Sequence, residues 1–242
     1  MKSKINSSQP YKRVLLKLSG QALAGEGNNI DPLVLKKIAG EIKEIHKLGV
    51  QLVIVVGGGN IVRGSELEKL GIKRTIGDSM GMLATIMNAL AFKDVLEDMG
   101  VSSRVMTSVE MKEFAEPYII DKAESHLNNN HVVFAAGGTG HPYFTTDTAA
   151  SLRSIELKAD VLLKATRVDG VYSGDPEKDK NAVKFDSITY ADVLEKQLRV
   201  MDLTAISLCM DNKVPIIVFD LFKKESLKNI ILGQNIGTRI SF

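Results

Sequence analysis

The sequence predicts an α/β fold with parallel strands, and three stretches predict it. Residues 52–56 (LVIVV) form a continuously apolar, β-branched-rich run that stops at Gly57, Gly58 and Gly59, as a strand buried on both faces does where it meets a loop. Residues 13–18 (RVLLKL) read as another such strand, and Asp31-Pro32 followed by Leu35, Ile38, Ile42, Ile45 and Leu48 reads as a capped helix that Gly49 ends. Strand, helix and strand over residues 13–56 make a β-α-β unit, whose strands run parallel with a right-handed crossover. The third stretch, residues 160–164 (DVLLK), repeats the pattern of the first strand and again ends on a lysine.

Length and composition bound the function. A chain of 242 residues is one large α/β domain or two tightly joined lobes, with ample material for a core. A net charge of +2 makes no field strong enough to imply nucleic acid or an anionic membrane, and 5% aromatic residues without Trp supply no base-stacking platform. Apolar runs are strand length, far short of the ~20 residues that span a bilayer. The N-terminal residues are polar and expected to fray, and no apolar segment backs their positive charge as a secretory signal requires, so the cytoplasm is the expected location. The lone Cys209 reads as a buried structural thiol.

Taken in order, Lys17 interrupts its strand at the carboxyl end, where an open α/β sheet places its ligand crevice. It points a cation into that crevice or lies on a solvent face. The glycines at 57–59 leave backbone bare for a phosphate through strained dihedrals and convergent N–H groups, or simply make a tight turn. The loop is neither of two familiar phosphate motifs: Val62 stands where a dinucleotide fingerprint needs glycine, and no Gly-Lys-Ser/Thr occurs. Arg63 follows one helical turn on. Asp78 is expected to cap a helix over residues 79–99, or to accept a ligand hydroxyl. That helix is apolar nearly all round, which suits an oligomer interface or a central core helix. Strands over 101–107 and 131–136 and a helix over 121–127 follow.

Residues 137–147 (GGTGHPYFTTD) form a second glycine-rich loop before a helix, again anion chemistry; His141 is assigned no chemical step of its own. Lys164 closes the next strand. Residues 166–179 read as a turn-rich loop that covers a base, coordinates a metal or merely connects. Asp202 caps a helix ending near Asn212, and a strand over 215–219 and a helix through Ile231 complete the chain.

Two glycine loops, two strand-end lysines, an arginine and several acids suit a site that holds two phosphorylated ligands together for phosphoryl transfer, where positioning and cations do most of the work. A phosphate acceptor fits best. Its second pKa of about 6 leaves an oxygen ionised at neutral pH, so no general base is needed.

The stretches VLLKLSG (14–20), VVGGGN (55–60), GDSMGMLATIMN (77–88), GTGHPYFTTD (138–147), LKATRVDGVYSGDP (163–176) and VLEKQLRVMDLTA (193–205) closely resemble the bacterial uridylate kinases of the amino acid kinase family. The resemblance runs from about Lys12 to the C-terminus. It implies a three-layer α/β/α sandwich with a mostly parallel sheet, one domain over 1–242 with an N-terminal acceptor part and an ATP part over about 150–242, and a homohexamer. The implied reaction moves the γ-phosphoryl of ATP, with Mg²⁺, to UMP in pyrimidine nucleotide biosynthesis, with UTP as inhibitor and GTP as activator. By the same resemblance Lys17, Leu18, Ser19, Gly20, Gly59 and Arg63 contact ATP, and Thr166, Tyr172 and Asp175 frame its nucleoside. Gly58, Asp78, Thr139, Gly140, His141, Pro142, Tyr143, Phe144, Thr145 and Thr146 surround UMP, while Lys17, Lys164, Asp147 and Asp202 serve the transfer itself. No protein ligand to the metal is assigned.

The sequence departs from the family pattern at Gln21, where an acid is common, at His141 for Asn and at Tyr143 for Phe. Lys93 keeps a cation of the effector region, but Glu97 stands where a cationic or imidazole side chain is expected, which argues against GTP activation. Two other readings share these residues: a kinase of the same fold acting on a carboxylate or carbamate, and a nucleotide-binding protein without turnover.

Overall fold

The computed structural model describes residues 10–25, 28–176, 178, 179 and 181–242; the fraying expected of residues 1–10 lies outside them except at Pro10. β1 (Arg13–Leu18) passes through a 3-10 turn at Gly20–Leu23 to α1 (Pro32–Lys47) and β2 (Gln51–Val56). Asp31 caps α1 by accepting from the N–H groups of Leu33 and Val34, and Gly49 takes the left-handed φ of 81° that releases the chain into β2. β1 and β2 pair in parallel from Arg13 opposite Gln51 to Leu18 opposite Val56.

The short α2 (Gly64–Lys69) precedes α3 (Arg74–Asp98), whose start corrects the sequence reading. Lys73 is the extended residue ahead of the first turn, so Asp78 lies one turn inside the helix and caps nothing. Residues 74–77 contain no helix breaker, and Arg74 pairs with Asp78 at 2.9 Å one turn on, which supports that first turn without a side-chain cap. Ala84, Ile86, Ala89, Phe92 and Leu96 of α3 are buried, while Ile76, Leu83 and Met87 are exposed.

β3 (Ser103–Thr107), β4 (Glu116–Pro117), α4 (Ile120–Asn128), β5 (Val132–Ala136), α5 (Thr146–Glu156) and β6 (Val161–Thr166) follow. The loop predicted over 166–179 carries β7 (Val171–Tyr172), which pairs antiparallel with β8 (Lys184–Phe185). Strands of two residues are too short to register as an alternation in sequence. β9 (Ser187–Thr189), α6 (Tyr190–Glu195), α7 (Leu203–Asp211), β10 (Ile216–Asp220), α8 (Ser226–Ile231) and β11 (Thr238–Ser241) complete the chain.

Among the described residues the main sheet has nine strands in the order β4-β3-β5-β2-β1-β6-β10-β11-β9, parallel throughout except for β10 against β11. One core joins Leu16, Leu18, Leu52 and Ile54 to α1, α3 and α8; the other joins Leu15, Val53, Val55 and Leu162 to α4, α5, α6 and α7. Three layers result. Connections leaving β1 and β2 turn onto the first face and those leaving β5 and β6 onto the second, so the crevice opens at the carboxyl ends of these central strands. No helix among the described residues is long and apolar enough to cross a membrane. Cys209 is buried, and burial pushes its thiol pKa up to about 11.

Two glycines give opposite expectations. A Cβ at Gly58 would stand 2.6 Å from the Gly81 carbonyl and 2.8 Å from Ala84 Cβ, whereas one at Gly40 in α1 meets nothing within 4 Å. Gly58→Ala is expected to lower the stability by about 1–3 kcal/mol through overpacking, and Gly40→Ala to raise it by about 0.5–1 kcal/mol. Urea midpoints at constant m-value measure both.

Candidate active site

The centre of the site follows from strand register. Lys17 in β1 stands opposite Lys164 in β6, and each lies two residues beyond a leucine, Leu15 or Leu162, that belongs to the α5 face. Because side chains alternate along a strand, both lysines face α5. The first turn of that helix presents Asp147. Thr145 starts it there by accepting from the N–H groups of Asp147 and Thr148. Asp147 Oδ1 lies 2.8 Å from Lys17 Nζ and Oδ2 lies 2.7 Å from Lys164 Nζ, which also donates to the Val200 carbonyl at 2.5 Å.

These three groups are mostly withdrawn from water, so their mutual field is strong. Burial pushes the Asp147 pKa upward, but Lys17 and Lys164 outweigh it and hold the carboxyl below its ordinary value. Burial, reinforced by the charge of Lys17, lowers the Lys164 pKa against the pull of Asp147. One carboxylate between two ammonium groups leaves an excess positive charge at the strand ends, suited to an anion that itself carries charge.

Behind this trio Asp202 is the N-cap predicted for α7, accepting from Ala205 N–H at 3.0 Å. Its carboxylate also accepts from Thr145 Oγ1 at 2.5 Å and Thr148 Oγ1 at 3.0 Å. It therefore ties α7 to the start of α5 and orients Asp147 indirectly.

The two glycine loops work differently from one another. None of Gly57, Gly58 and Gly59 has a positive φ, which corrects the expectation of strained dihedrals. Gly57 and Gly58 are bare because neighbours come close: a Cβ at Gly57 would lie 3.0 Å from the Gly20 nitrogen, and one at Gly20 would lie 2.5 Å from the Gly57 carbonyl, whereas one at Gly59 would meet only Gln21 Cγ at 3.9 Å. Asn88, fully buried on α3, donates to that same carbonyl at 2.7 Å and to Asn60 Oδ1 at 2.8 Å. In the second loop Gly137, Gly138 and Gly140 take left-handed φ values of 75°, 59° and 82°. Thr85, one turn before Asn88, accepts the Gly137 N–H at 2.9 Å. Tyr143 is also left-handed at φ 70°, and Asp78 holds it by accepting its N–H at 2.7 Å. Arg74 closes the arrangement with its guanidinium 5.7 Å above the Tyr143 ring.

Two cavities lie near the charge trio: Thr145 and Thr146, next to Asp147, line the first and Lys164 lines the second. The first, about 420 Å³, is lined by Gly58, Gly59, Asp78, Thr139, His141, Phe144, Thr145 and Thr146, with Arg74 and Met82. The second, about 610 Å³, is lined by Lys164, Thr166, Tyr172 and Asp175, with Lys196 and Arg199. Gly59, expected beside ATP, thus lines the same cavity as Gly58. Gly140, Pro142 and Tyr143 shape the second loop without lining either cavity, and Leu18, Ser19 and Gly20 continue from Lys17 against Gly57. Arg63 reaches back to the Gly59 carbonyl and to Glu66, each at 3.3 Å, and remains half-exposed. Tyr172 donates to Asp169 at 2.6 Å, Thr166 donates to the Val168 carbonyl at 2.6 Å, and Asp175 pairs with Lys178 at 3.2 Å. Sequence reasoning missed Arg74, Lys196 and Arg199. Arg74 had a signal, the spacing of four to Asp78 on one helix, and Lys196 and Arg199 lie within the stretch 193–205 that carries the family resemblance.

Residues 12–220 match the amino acid kinase family, and the chain belongs to that family. Among solved structures it is similar to the UMP kinase from Bacillus anthracis, with 42% identity, a TM-score of 0.94 and 96% of each chain covered. It is also similar to the UMP kinase from Ureaplasma parvum, with 32% identity, a TM-score of 0.91 and 96% of this chain and 99% of that one covered. The uridylate kinase from Archaeoglobus fulgidus matches at 28% identity and a TM-score of 0.73, over 94% of this chain and 99% of that one. The predicted fold class and the kinase family both hold.

The charge trio sets a pH dependence. Asp147 has a native pKa below its ordinary 3.8, so its ionised form contributes stability fully above that value and loses it as pH falls through the native pKa. Wild type is expected to lose more melting temperature between about pH 7 and about pH 3 than Asp147→Asn does, and the variant to be about 3–5 kcal/mol less stable near neutrality. Thermal unfolding across that range measures both.

Proposed function

We propose that this chain is a UMP kinase that transfers the γ-phosphoryl group of Mg-ATP to the phosphate of UMP, giving ADP and UDP. One observation carries the reading: Lys17 and Lys164, in register on adjacent strands, are joined through Asp147, which directly follows Thr145 and Thr146 of the first cavity, while Lys164 lines the second, so the charge trio connects the two. Similarity to the UMP kinases from Bacillus anthracis and Ureaplasma parvum favours UMP over a carboxylate or carbamate acceptor.

In this reading the first cavity takes UMP. Gly58 approaches its phosphate, Asp78 accepts from the ribose, and Thr139, Gly140, His141, Pro142, Tyr143, Phe144, Thr145 and Thr146 wrap phosphate and uracil. The second cavity takes the ATP nucleoside between Thr166, Tyr172 and Asp175, within a C-terminal part over about 150–242 of a single domain. Leu18, Ser19 and Gly20 hold ATP phosphates with Gly59 and Arg63. Lys17 and Lys164 stabilise the charge spread over the transferring group, Asp147 fixes their ammonium positions, and Asp202 supports Asp147 from behind. The acceptor phosphate is already ionised, so no side chain removes a proton.

Among the described residues no three His, Cys, Asp or Glu side chains converge on a metal, and Asp147 has both oxygens engaged by lysines. That donor set fits Mg²⁺ held through the nucleotide phosphates, where the ion neutralises their charge, rather than in a protein cage. Lys17, Ser19 and Gly20 are the residues that would hold the phosphates carrying it.

The exposed Leu83 and Met87 on α3 support a subunit contact, read here as part of a cytoplasmic homohexamer. UTP is proposed as an inhibitor. GTP is proposed to act weakly at most, because Glu97 pairs with Lys93 at 2.9 Å and approaches Arg104 at 4.0 Å, neutralising cations that a triphosphate effector would need.

ADP release from Mg-ATP, with UMP, CMP, AMP and GMP as separate acceptors, tests the reading: turnover confined to UMP supports it, and no turnover in folded, nucleotide-bound protein refutes it. GTP is expected to change the UMP rate by less than about twofold. Lys17→Met should lower kcat by about 10³-fold or more while leaving UMP affinity within about threefold. Thr146→Ala should reduce the UMP over CMP preference by about tenfold or more, read as a ratio of kcat/KM values.

A further inference from the structure

The second glycine loop poses a mechanical problem. Three glycines with left-handed dihedrals within four residues have the largest backbone entropy to lose, and within the loop only the Gly140 N–H to Gly137 carbonyl turn and the longer Thr139–His141 contacts oppose that loss. Side chains from outside add to them. Thr85 fixes the Gly137 N–H, and the Gly138 carbonyl is fixed from the opposite side by Arg153 of α5.

Arg153 is only 5% exposed, unusual for an arginine and outside every motif that marked the site in sequence. Its Nη2 donates to Ser108 Oγ at 2.8 Å and to the Gly138 carbonyl at 3.3 Å, and Ser108 Oγ donates to the same carbonyl at 3.1 Å. Its Nη1 donates to Glu156 at 2.6 Å, and the guanidinium carbon lies 4.0 Å from the centre of the Tyr118 ring. Tyr118 in turn donates its hydroxyl to the same Glu156 oxygen at 2.9 Å. Ser108 and Tyr118 are anchored by backbone hydrogen bonds to Ala136 and Thr107, at the carboxyl ends of β5 and β3.

The planar fork thus has one arm on a carboxylate and the other on the loop, with an aromatic face against its plane, a combination that lysine cannot reproduce. Neutralised by Glu156 and sealed from solvent, the guanidinium is not a ligand for a substrate phosphate. We propose that Arg153 is a positioning residue that sets the acceptor loop through Ser108 and the Gly138 carbonyl, and thereby governs UMP affinity. This rests on reading the first cavity as the acceptor site.

The test uses full-length Arg153→Met, Arg153→Lys and Ser108→Ala. The KM for UMP is expected to rise about tenfold in Arg153→Met and about threefold in Ser108→Ala, with the KM for ATP within about twofold of wild type. Arg153→Lys, which keeps the charge but loses the fork, falls between wild type and Met. Amide hydrogen exchange, followed by mass spectrometry without substrates, should speed up over residues 137–140 and stay unchanged over 57–60. Equal rises in both KM values, or an unchanged UMP KM with unchanged exchange, overturn the proposal. Should Arg153→Met fail to fold, Ser108→Ala decides, since it removes the Ser108 link to the Gly138 carbonyl, leaving the direct Arg153 contact and the Arg153–Glu156 pair in place. If wild type turns over another monophosphate, the UMP reading fails and the same KM split is read with that acceptor; if it turns over none, the exchange result alone decides.

Discussion

A carboxylate shared by two ammonium groups at the carboxyl end of a buried parallel sheet is the constraint on which the rest of this structure depends. Lys17 and Lys164 sit on adjacent strands in exact lateral register, so their charges repel across a few ångströms of poorly solvated space. Asp147 makes that arrangement tolerable, and its place is secured twice, by the Thr145 cap that starts α5 and by Asp202, which binds Thr145 and Thr148 while capping α7. In water such a trio would be worth little. Here, with each side chain largely withdrawn from solvent, removing one member strands the others. The same excess of positive charge that makes the trio costly without its carboxylate suits the proposed reaction, because a phosphoryl group in transfer spreads negative charge over several oxygens at once.

The long helix α3 is the second organising element, through polar groups rather than bulk. Asn88 and Thr85, one turn apart on its inner side, fix the Gly57 carbonyl and the Gly137 N–H, and Asp78, further toward its start, fixes the backbone of Tyr143. One rigid rod therefore sets both loops relative to each other. Its opposite side carries the exposed Leu83 and Met87, so whatever packs there bears on the helix that holds the site. Arg153 completes the grip from α5, the helix that also carries Asp147. Loop geometry and charge geometry are thus referred to the same two helices.

Much of this was legible in the sequence, for identifiable reasons. The strands over 13–18, 51–56 and 161–166 are continuous apolar runs because both faces are covered, and Lys17 and Lys164 stood out as the residues that break them at the same end. Asp31, Asp202 and the glycine loops are local signals, since caps and turns need particular residues at fixed offsets. The errors were local as well. The start of α3 was placed five residues late because Asp78 resembles a cap, whereas its carboxylate serves Arg74 and a loop 65 residues away. Gly57, Gly58 and Gly59 were read as conformational glycines; Gly57 and Gly58 are glycines for lack of room, and the crowding atoms belong to Gly20, Gly81, Ala84, Thr85 and Thr146.

The sequence by itself determined the α/β class, the two lysine-ended strands and the two glycine loops, because period, composition and caps are properties of short segments and resemblance to a family is carried by those same segments. Tertiary structure alone decided which charges share a carboxylate, which carbonyl Asn88 holds, and that Arg153 is a buried clamp rather than a surface cation. Those contacts join residues 15 to 130 positions apart, and nothing in a local window encodes which strand end a distant helix will cover. The fold supplies that information by placing β1 and β6 side by side under α5.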